Sequence, residues 1–417
     1  MTGSRANLGS VCLWVLAAAL AGAGCGDDEG RGGDAGTGGD AGIATDGGGD
    51  TGTSADAGTS DGGGVGDCVP SRLLITTSDF VTGGLGTLDL ATGAVATASG
   101  DAPDQDSAPG LSGCTPVVLQ RGLGSIRLLD TSDPLTGGRT VDVNPVGASG
   151  PYAANPQKAL EIADDELWVV LGAVPSIAVV DPTAGGGGEV VDRIDLSGLV
   201  RPGDMDGNID ASDAIRVGDR VYVALGNYWF DTDFAIHFEG SALAVLDATT
   251  RALVDVDPAT DGVQLIELAG DNPWRGLWHD AATNTLVVGA SGDSFALDGQ
   301  LEVVDLETHA SVGSVTTETM LGAEINGFGF ASPNRLVVLA GSQVLAFDPT
   351  VDFGVPELLL DGADGMLLVD GVVWTWARMG DGAGLRAVDP DDGSDVTPGG
   401  GPIAVGTLPV NGAVASP

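Results

Sequence analysis

Seven times along the chain, two mostly apolar residues are followed by an Asp and then by turn-forming residues. The copies read Thr87-Leu88-Asp89, Leu128-Leu129-Asp130, Val179-Val180-Asp181, Val245-Leu246-Asp247, Val303-Val304-Asp305, Ala346-Phe347-Asp348 and Ala387-Val388-Asp389. Pro, Thr or Gly follow most of them, as in Asp181-Pro182-Thr183-Ala184-Gly185 and Asp348-Pro349-Thr350, and these residues open and close tight turns. Each phrase therefore marks the end of a buried strand that runs into a hairpin. Successive Asp residues are 41 to 66 positions apart, near the ~40 to 50 of a four-stranded propeller blade. The longer gaps read as loop insertions, and seven copies predict seven blades.

Around each phrase lie short runs rich in Val, Leu and Ile, separated by Gly, Asp, Asn or Pro, with no helical period. The first copy has no inner strand before it. At the other end of the chain, Val410-Asn411-Gly412-Ala413-Val414-Ala415 reads as an inner strand with no blade of its own. Pairing the two closes a ring and removes a sheet edge that would otherwise invite association. The expected fold is all-β: a seven-bladed β-propeller over residues 68–417 closed by the C-terminal strand, preceded by a signal peptide and a disordered tether.

Composition bears on partners. The chain of 417 residues carries 59 acidic against 16 basic residues, a net charge of -43, which disfavours nucleic acid and anionic lipid and favours cations. Residues 1–24 read as an export signal, with Arg5 in the n-region and an apolar run over 11–20 that is too short to span a bilayer. Ala21-Gly22-Ala23-Gly24-Cys25 resembles the lipobox of bacterial lipoproteins, which implies cleavage before Cys25 and lipidation of that residue; plain secretion is the alternative. Residues 25–67 are Gly, Asp, Thr, Ala and Ser with few large apolar side chains, a composition expected to stay disordered and act as a flexible tether. The expected address is the cell envelope, lipid-anchored at the outer membrane, or else secreted. Cys12 leaves with the signal, so Cys68 and Cys114 are expected to form a disulfide in an exported protein. Only three histidines, His237, His279 and His309, are present and none has a ligand-spaced partner, so a zinc cluster is excluded.

The strand segments Asp165-Glu166-Leu167-Trp168-Val169-Val170 and Gly218-Asp219-Arg220-Val221-Tyr222-Val223, with the apolar-apolar-Asp phrases after them, resemble the YVTN-type β-propeller repeat proteins of bacteria, exported lipoproteins among them. The resemblance covers roughly residues 68–417. It implies the fold and not the function, because propellers host binding, scaffolding and catalysis alike.

In a propeller, the loops entering the inner strands and those joining second to third strands share one face, around the channel mouth. Blade four carries insertions in both. The second insertion, residues 227–239, is the most aromatic stretch of the chain and supplies the candidate contact residues Tyr228, Trp229, Phe230, Asp231, Asp233 and His237, with Trp274 from blade five. The first resembles an EF-hand-like calcium loop, with Asp204, Asp206, Asp210 and Asp213 as candidate ligands, although Pro202 stands where a first carboxylate is needed and an Asp/Gly turn explains the pattern as well. Asn155, Asn272, Asn326, Asp364 and Asn411 each open an inner strand and form a candidate ring of oxygens at the mouth, or ordinary turn initiators. His279, after Trp278 on an expected inner strand, is a candidate general base near the channel or else a hydrogen-bonded structural residue, and no Ser or Cys nucleophile motif accompanies it.

These features lead to the expectation of a monomeric, surface-tethered, non-catalytic module that binds a protein, peptide or glycan. The alternative is a metal-dependent hydrolase or lactonase at the channel mouth, with a divalent cation such as calcium as the one cofactor the acidic loops suit.

Overall fold

The computed structural model describes residues 68–98, 104–148, 150–233, 235–293, 296–351, 355–380 and 382–417. The signal sequence, Cys25 and the tether lie outside them. The described chain forms seven small antiparallel sheets arranged as a ring of blades. Blade three shows the pattern: an inner strand Pro156–Ala163, then Glu166–Leu171, Ser176–Asp181 and the outer Glu189–Asp195. Blades two, four, five and six begin with inner strands Ser107–Ser112, Ala211–Val217, Leu277–Asp280 and Ile325–Ser332. Blade seven has a three-stranded sheet, Gly365–Val369, Val372–Ala377 and Gly384–Val388, edged by isolated bridges from Leu385 to Ile403 and Val388 to Asp395.

The ring closes as the sequence implies. Val410–Ser416 pairs antiparallel with Arg72–Ser78, with Arg72 opposite Ser416 and Ile75 opposite Ala413, so the last strand is the inner strand of blade one. The core has the same circular logic. It divides into seven apolar clusters, one between each pair of consecutive blades, including Leu119 and Val141 against Ala159 and Val169, and Leu160 and Trp168 against Ala214 and Val223. The cluster that joins Leu367, Trp374 and Trp376 of blade seven to Leu73, Ile75 and Ala413 of blade one seals the circle. At roughly 1.5–3 kcal/mol for each fully buried Val or Leu side chain, each seam is held by apolar packing, because hydrogen bonds of the sheets run within blades.

The Asp of the repeated phrase has a definite job. Asp89 Oδ1 accepts from the Thr92 N–H at 2.8 Å and its hydroxyl at 2.7 Å; Asp181 Oδ1 accepts from the Thr183 N–H and hydroxyl, both at 2.7 Å. Asp130, Asp247, Asp305, Asp348 and Asp389 cap their turns in the same way. These are side-chain-closed turns between third and fourth strands, and the hydrogen bonds hold most of the carboxyls below their ordinary value, Asp247 down to about 2, where Arg220 adds its charge. The expected disulfide is present: Cys68, ahead of the first strand, is bonded to Cys114, in the turn that follows the inner strand of blade two, with Cα atoms 5.5 Å apart. It ties blade one to blade two beside the seam that is closed by the chain ends.

Candidate functional site: the channel mouth

Inner strands run away from the mouth, so their first residues and the loops between second and third strands meet there. Among the described residues this face gathers side chains from blades far apart in sequence. Lys158 is the only lysine of the chain. It sits near the start of the blade-three inner strand, its side chain 13% exposed, with Nζ 3.6 Å from Asp213 Oδ1 on the inner strand of blade four. Asp213 also accepts from the backbone N–H of Ala214 at 2.8 Å, and through Oδ2 from that of Leu277 at 3.0 Å. One buried carboxylate thus joins the inner strands of blades three, four and five. A register shift between Ala211 and Asp213 in the strand pairing turns the side chain to that position.

Across the mouth a second node is built the same way. Arg378, from the loop after the second strand of blade seven, donates to Asn411 Oδ1 at 2.7 Å, and Asn411 Nδ2 donates to the Ser107 carbonyl at 3.0 Å. This links blades seven, one and two. Burial pulls the Arg378 guanidinium below its ordinary value, with the Asp364 charge opposing, and the group lies 5.2 Å from the centre of the Phe80 ring. Arg275 is half-buried on the same face ahead of the blade-five inner strand, while Arg121 is buried against Asp106, 3.8 Å away.

Of the candidate ring, Asp364 accepts from the Arg378 N–H at 2.6 Å, Asn326 Nδ2 donates to the Gly341 carbonyl at 3.0 Å, and Asn272 Nδ2 to the Gly292 carbonyl at 3.4 Å. The Asn155 carbonyl accepts from Gly172 N–H at 2.8 Å. Each of these residues fastens its inner strand to the neighbouring loop of its own blade; Asn272 also donates its N–H to the Ser241 hydroxyl of blade four at 2.9 Å, and the Asn411 side chain reaches into blades two and seven. Asn155 and Asn272 have φ of 49° and 54°, a left-handed conformation that Asn tolerates better than most residues.

The aromatic insertion, read as a loop, is a short hairpin: Tyr228–Phe230 pairs with Ile236–Phe238. Its side chains divide between two faces. On one, Tyr228 makes edge contacts with Phe230 and Phe238. On the other, the Trp229 and His237 rings stack with centroids 4.3 Å apart. His237 Nε2 lies 3.1 Å from Asp231 Oδ2, and Trp229 Nε1 donates to Glu239 at 3.2 Å. Asp233 is exposed at the turn, and Trp274 is half-buried before the inner strand of blade five.

The proposed calcium-loop ligands do not converge as a set of four. Asp213 belongs to Lys158, whereas Asp204, Asp206 and Asp210 stay together in the preceding loop. Burial, then the neighbouring Asp204 carboxylate, pushes Asp206 up to about 6; burial, then Asp206, drives Asp210 well above its ordinary value. Among the described residues no three His, Cys, Asp or Glu side chains form a ready-made metal cluster. His279 lies farther along its inner strand, where burial lowers its pKa, while Trp278 stacks on Phe330 of blade six at 4.1 Å. A groove of about 510 Å³ lined by Asp192, Arg193, Thr249, Thr250 and Arg251 involves the outer strand of blade three, away from the mouth, and Arg251 is taken up there by Glu166 and Asp192.

Sequence reasoning missed Lys158, Arg378 and Asn208. For Lys158 there was a signal, its being the sole lysine; for Arg378 and Asn208 there was none, because Asn411, which accepts from Arg378, and the Gly172 carbonyl, to which Asn208 Nδ2 donates at 2.6 Å, lie on other blades.

No protein-family model matches the sequence, and comparison with curated proteins returns no match. Solved structures do match in fold. A protein of Bacteroides uniformis proposed to be a 6-phosphogluconolactonase is similar with a TM-score of 0.54 at 10% identity, over 78% of this chain and 95% of that one. Another from Bacteroides fragilis, proposed to have the same activity, gives 0.54 at 11% identity, over 82% and 97%. A protein of Lactobacillus plantarum gives 0.51 at 15% identity, over 83% and 99%. The expectation of a non-catalytic binding module is corrected on this finding: the two of these neighbours that carry an activity are proposed lactonases. At such identities the similarity establishes the fold, a seven-bladed β-propeller, and the chemistry has to be argued from the side chains.

Proposed function

We propose that this chain hydrolyses a lactone, of the sugar-lactone class, at the mouth of the propeller channel. The observation that carries the reading is the single lysine, held by a buried carboxylate where three inner strands meet. Lactone hydrolysis adds water to the carbonyl carbon, passes through a tetrahedral oxyanion, and breaks the ring C–O bond to leave a hydroxy acid. A fixed cation in a poorly solvated site stabilises that oxyanion far better than one in water. Lys158 is assigned this role, and Asp213 is its positioning residue. Arg275 and Arg378, on the same face of a strongly acidic protein, suit a substrate that carries a carboxylate or phosphate, as a 6-phosphogluconolactone does. The fold shared with the two Bacteroides proteins supports the same reaction class.

The test is a panel of sugar lactones, phosphorylated and not, with the wild type and the Lys158→Met and Lys158→Arg variants. Loss of one oxyanion-stabilising group is expected to lower kcat about 10²- to 10³-fold, with Lys158→Arg folded and intermediate. Hydrolysis no faster than in buffer for every lactone, or a folded Lys158→Met with the wild-type rate, would overturn the assignment.

The protein is exported and held at the cell envelope through Cys25 as a YVTN-type lipoprotein, with residues 26–67 as its tether. The Cys68–Cys114 disulfide supports an oxidising compartment. Detergent-phase partitioning that survives in a Cys25→Ala variant would contradict lipid anchoring.

A further inference from the structure

The loop leading into blade four gathers an amide oxygen and three carboxylates whose hydrogen-bond donors are neutral N–H groups, and we propose that Asp206, Asp210 and the side-chain oxygen of Asn208, with Asp204 beside them, bind one hard divalent cation of the calcium class. Asp210 and Asn208 are 7% and 8% exposed. Asn208 Nδ2 donates to Asp210 Oδ1 at 3.1 Å and to the Gly172 carbonyl at 2.6 Å. Reversing the amide would set oxygen against oxygen at both contacts, so its orientation is settled. Its Oδ1, the other end of the same amide, is therefore buried with no donor. Asp204 Oδ2 is likewise buried without a partner.

Buried acceptors left unpaired are costly, and charged ones more so. The groups acting on Asp206 and Asp210 are carboxylates, the Asn208 amide and backbone N–H groups; no Lys or Arg is among them. Asp213 marks the contrast, since the cation of Lys158 already lies 3.6 Å from its carboxylate. A proton satisfies one oxygen at a time, whereas a cation satisfies the set. Two carboxylates, an amide oxygen, backbone carbonyls and water form a mixture that calcium accepts with about six to eight oxygen ligands at flexible geometry, while magnesium demands a tighter octahedron.

The position gives the ion work to do. Asp210 Oδ2 accepts from the Tyr228 N–H at 3.0 Å, the Glu239 carboxylate packs so closely on Gly203 that a Cβ there would overlap it, and Asn208 reaches Gly172 of blade three. One cation therefore pins the leading loop, the aromatic hairpin and the blade-three loop together beside the mouth. This inference does not rest on the lactone chemistry.

The test uses the full chain, stripped with EDTA, titrated with calcium chloride by calorimetry and followed by thermal unfolding. One saturable site is expected, with the unfolding midpoint raised by about 5 °C at roughly a hundredfold excess over Kd, and with magnesium at least tenfold weaker. Asp206→Asn and Asn208→Ala are each expected to weaken binding at least tenfold while leaving the protein folded, which separates this site from the Asp-rich residues 26–67. Absence of a saturable site in the wild type, or binding unchanged in both variants, overturns the proposal.

Discussion

Lys158 shows how much one side chain can carry in this molecule. Its charge is buried beside Asp213, at 13% and 9% side-chain exposure, and removing one member of such a pair strands the other. Lys158→Met is expected to cost about 3 kcal/mol, read as a lower denaturation midpoint at unchanged slope; a cost below about 1 kcal/mol would show that the pair is solvated in practice. The repeated Asp residues were legible because an Asp that closes its own turn acts within three or four positions, and sequence displays such spacing directly. Lys158 and Asp213 were not legible as a pair, since nothing local ties a strand of blade three to one of blade four. The five Asn and Asp residues of the candidate ring lie between these extremes: their turn role is local and was weighed, while the Asn411 bridge to Arg378 and Ser107 needs the closed ring.

At the scale of elements, the hairpin of blade four and the terminal strand make opposite points. Residues 227–239 read as a loop because each strand has only three residues and Asp231, Thr232 and Asp233 dominate the turn, a pattern too short for alternation to declare itself. The strand Val410–Ser416 was legible because its apolar run has no blade partner in sequence, and the first blade lacks an inner strand. That strand supplies Ala413 and Ala415 to the seam between blades seven and one. Truncation after Leu408 is therefore expected to abolish cooperative unfolding or to lower the midpoint by more than about 10 °C, measured by calorimetry. The disulfide adds a smaller increment at the neighbouring seam, between blades one and two: Cys68→Ala/Cys114→Ala should lower stability by about 2–5 kcal/mol, and wild type unfolded in reductant should match the double variant.

For the molecule as a whole, burial and turn formation pull the acidic groups in opposite directions, and the stability profile follows. Asp206 is raised to about 6, and Asp104, Asp210, Asp271, Glu161 and Glu318 are raised too, burial being the leading cause in each. Such groups bind protons more tightly folded than unfolded, so acidification from about pH 7 to 5 should stabilise the protein. Asp247, near 2, and its counterparts at the other turns bind protons more tightly when unfolded. Their contribution is present above the ordinary carboxylate pKa of about 3.9 and is lost as pH falls from there toward 2. In EDTA the thermal midpoint should therefore pass through a maximum near pH 4 to 5; a midpoint that falls steadily from pH 7 downward would contradict the buried-acid assignments. With one lysine in the whole chain, protein isotope-labelled at lysine Cε has a single resonance for the group assigned to the oxyanion. Titrated with the hydroxy-acid product of whichever lactone is turned over, that resonance is predicted to shift saturably and to stay fixed with an uncharged polyol of the same length. A lysine signal that does not move while the lactone is hydrolysed would place the chemistry elsewhere and contradict the account.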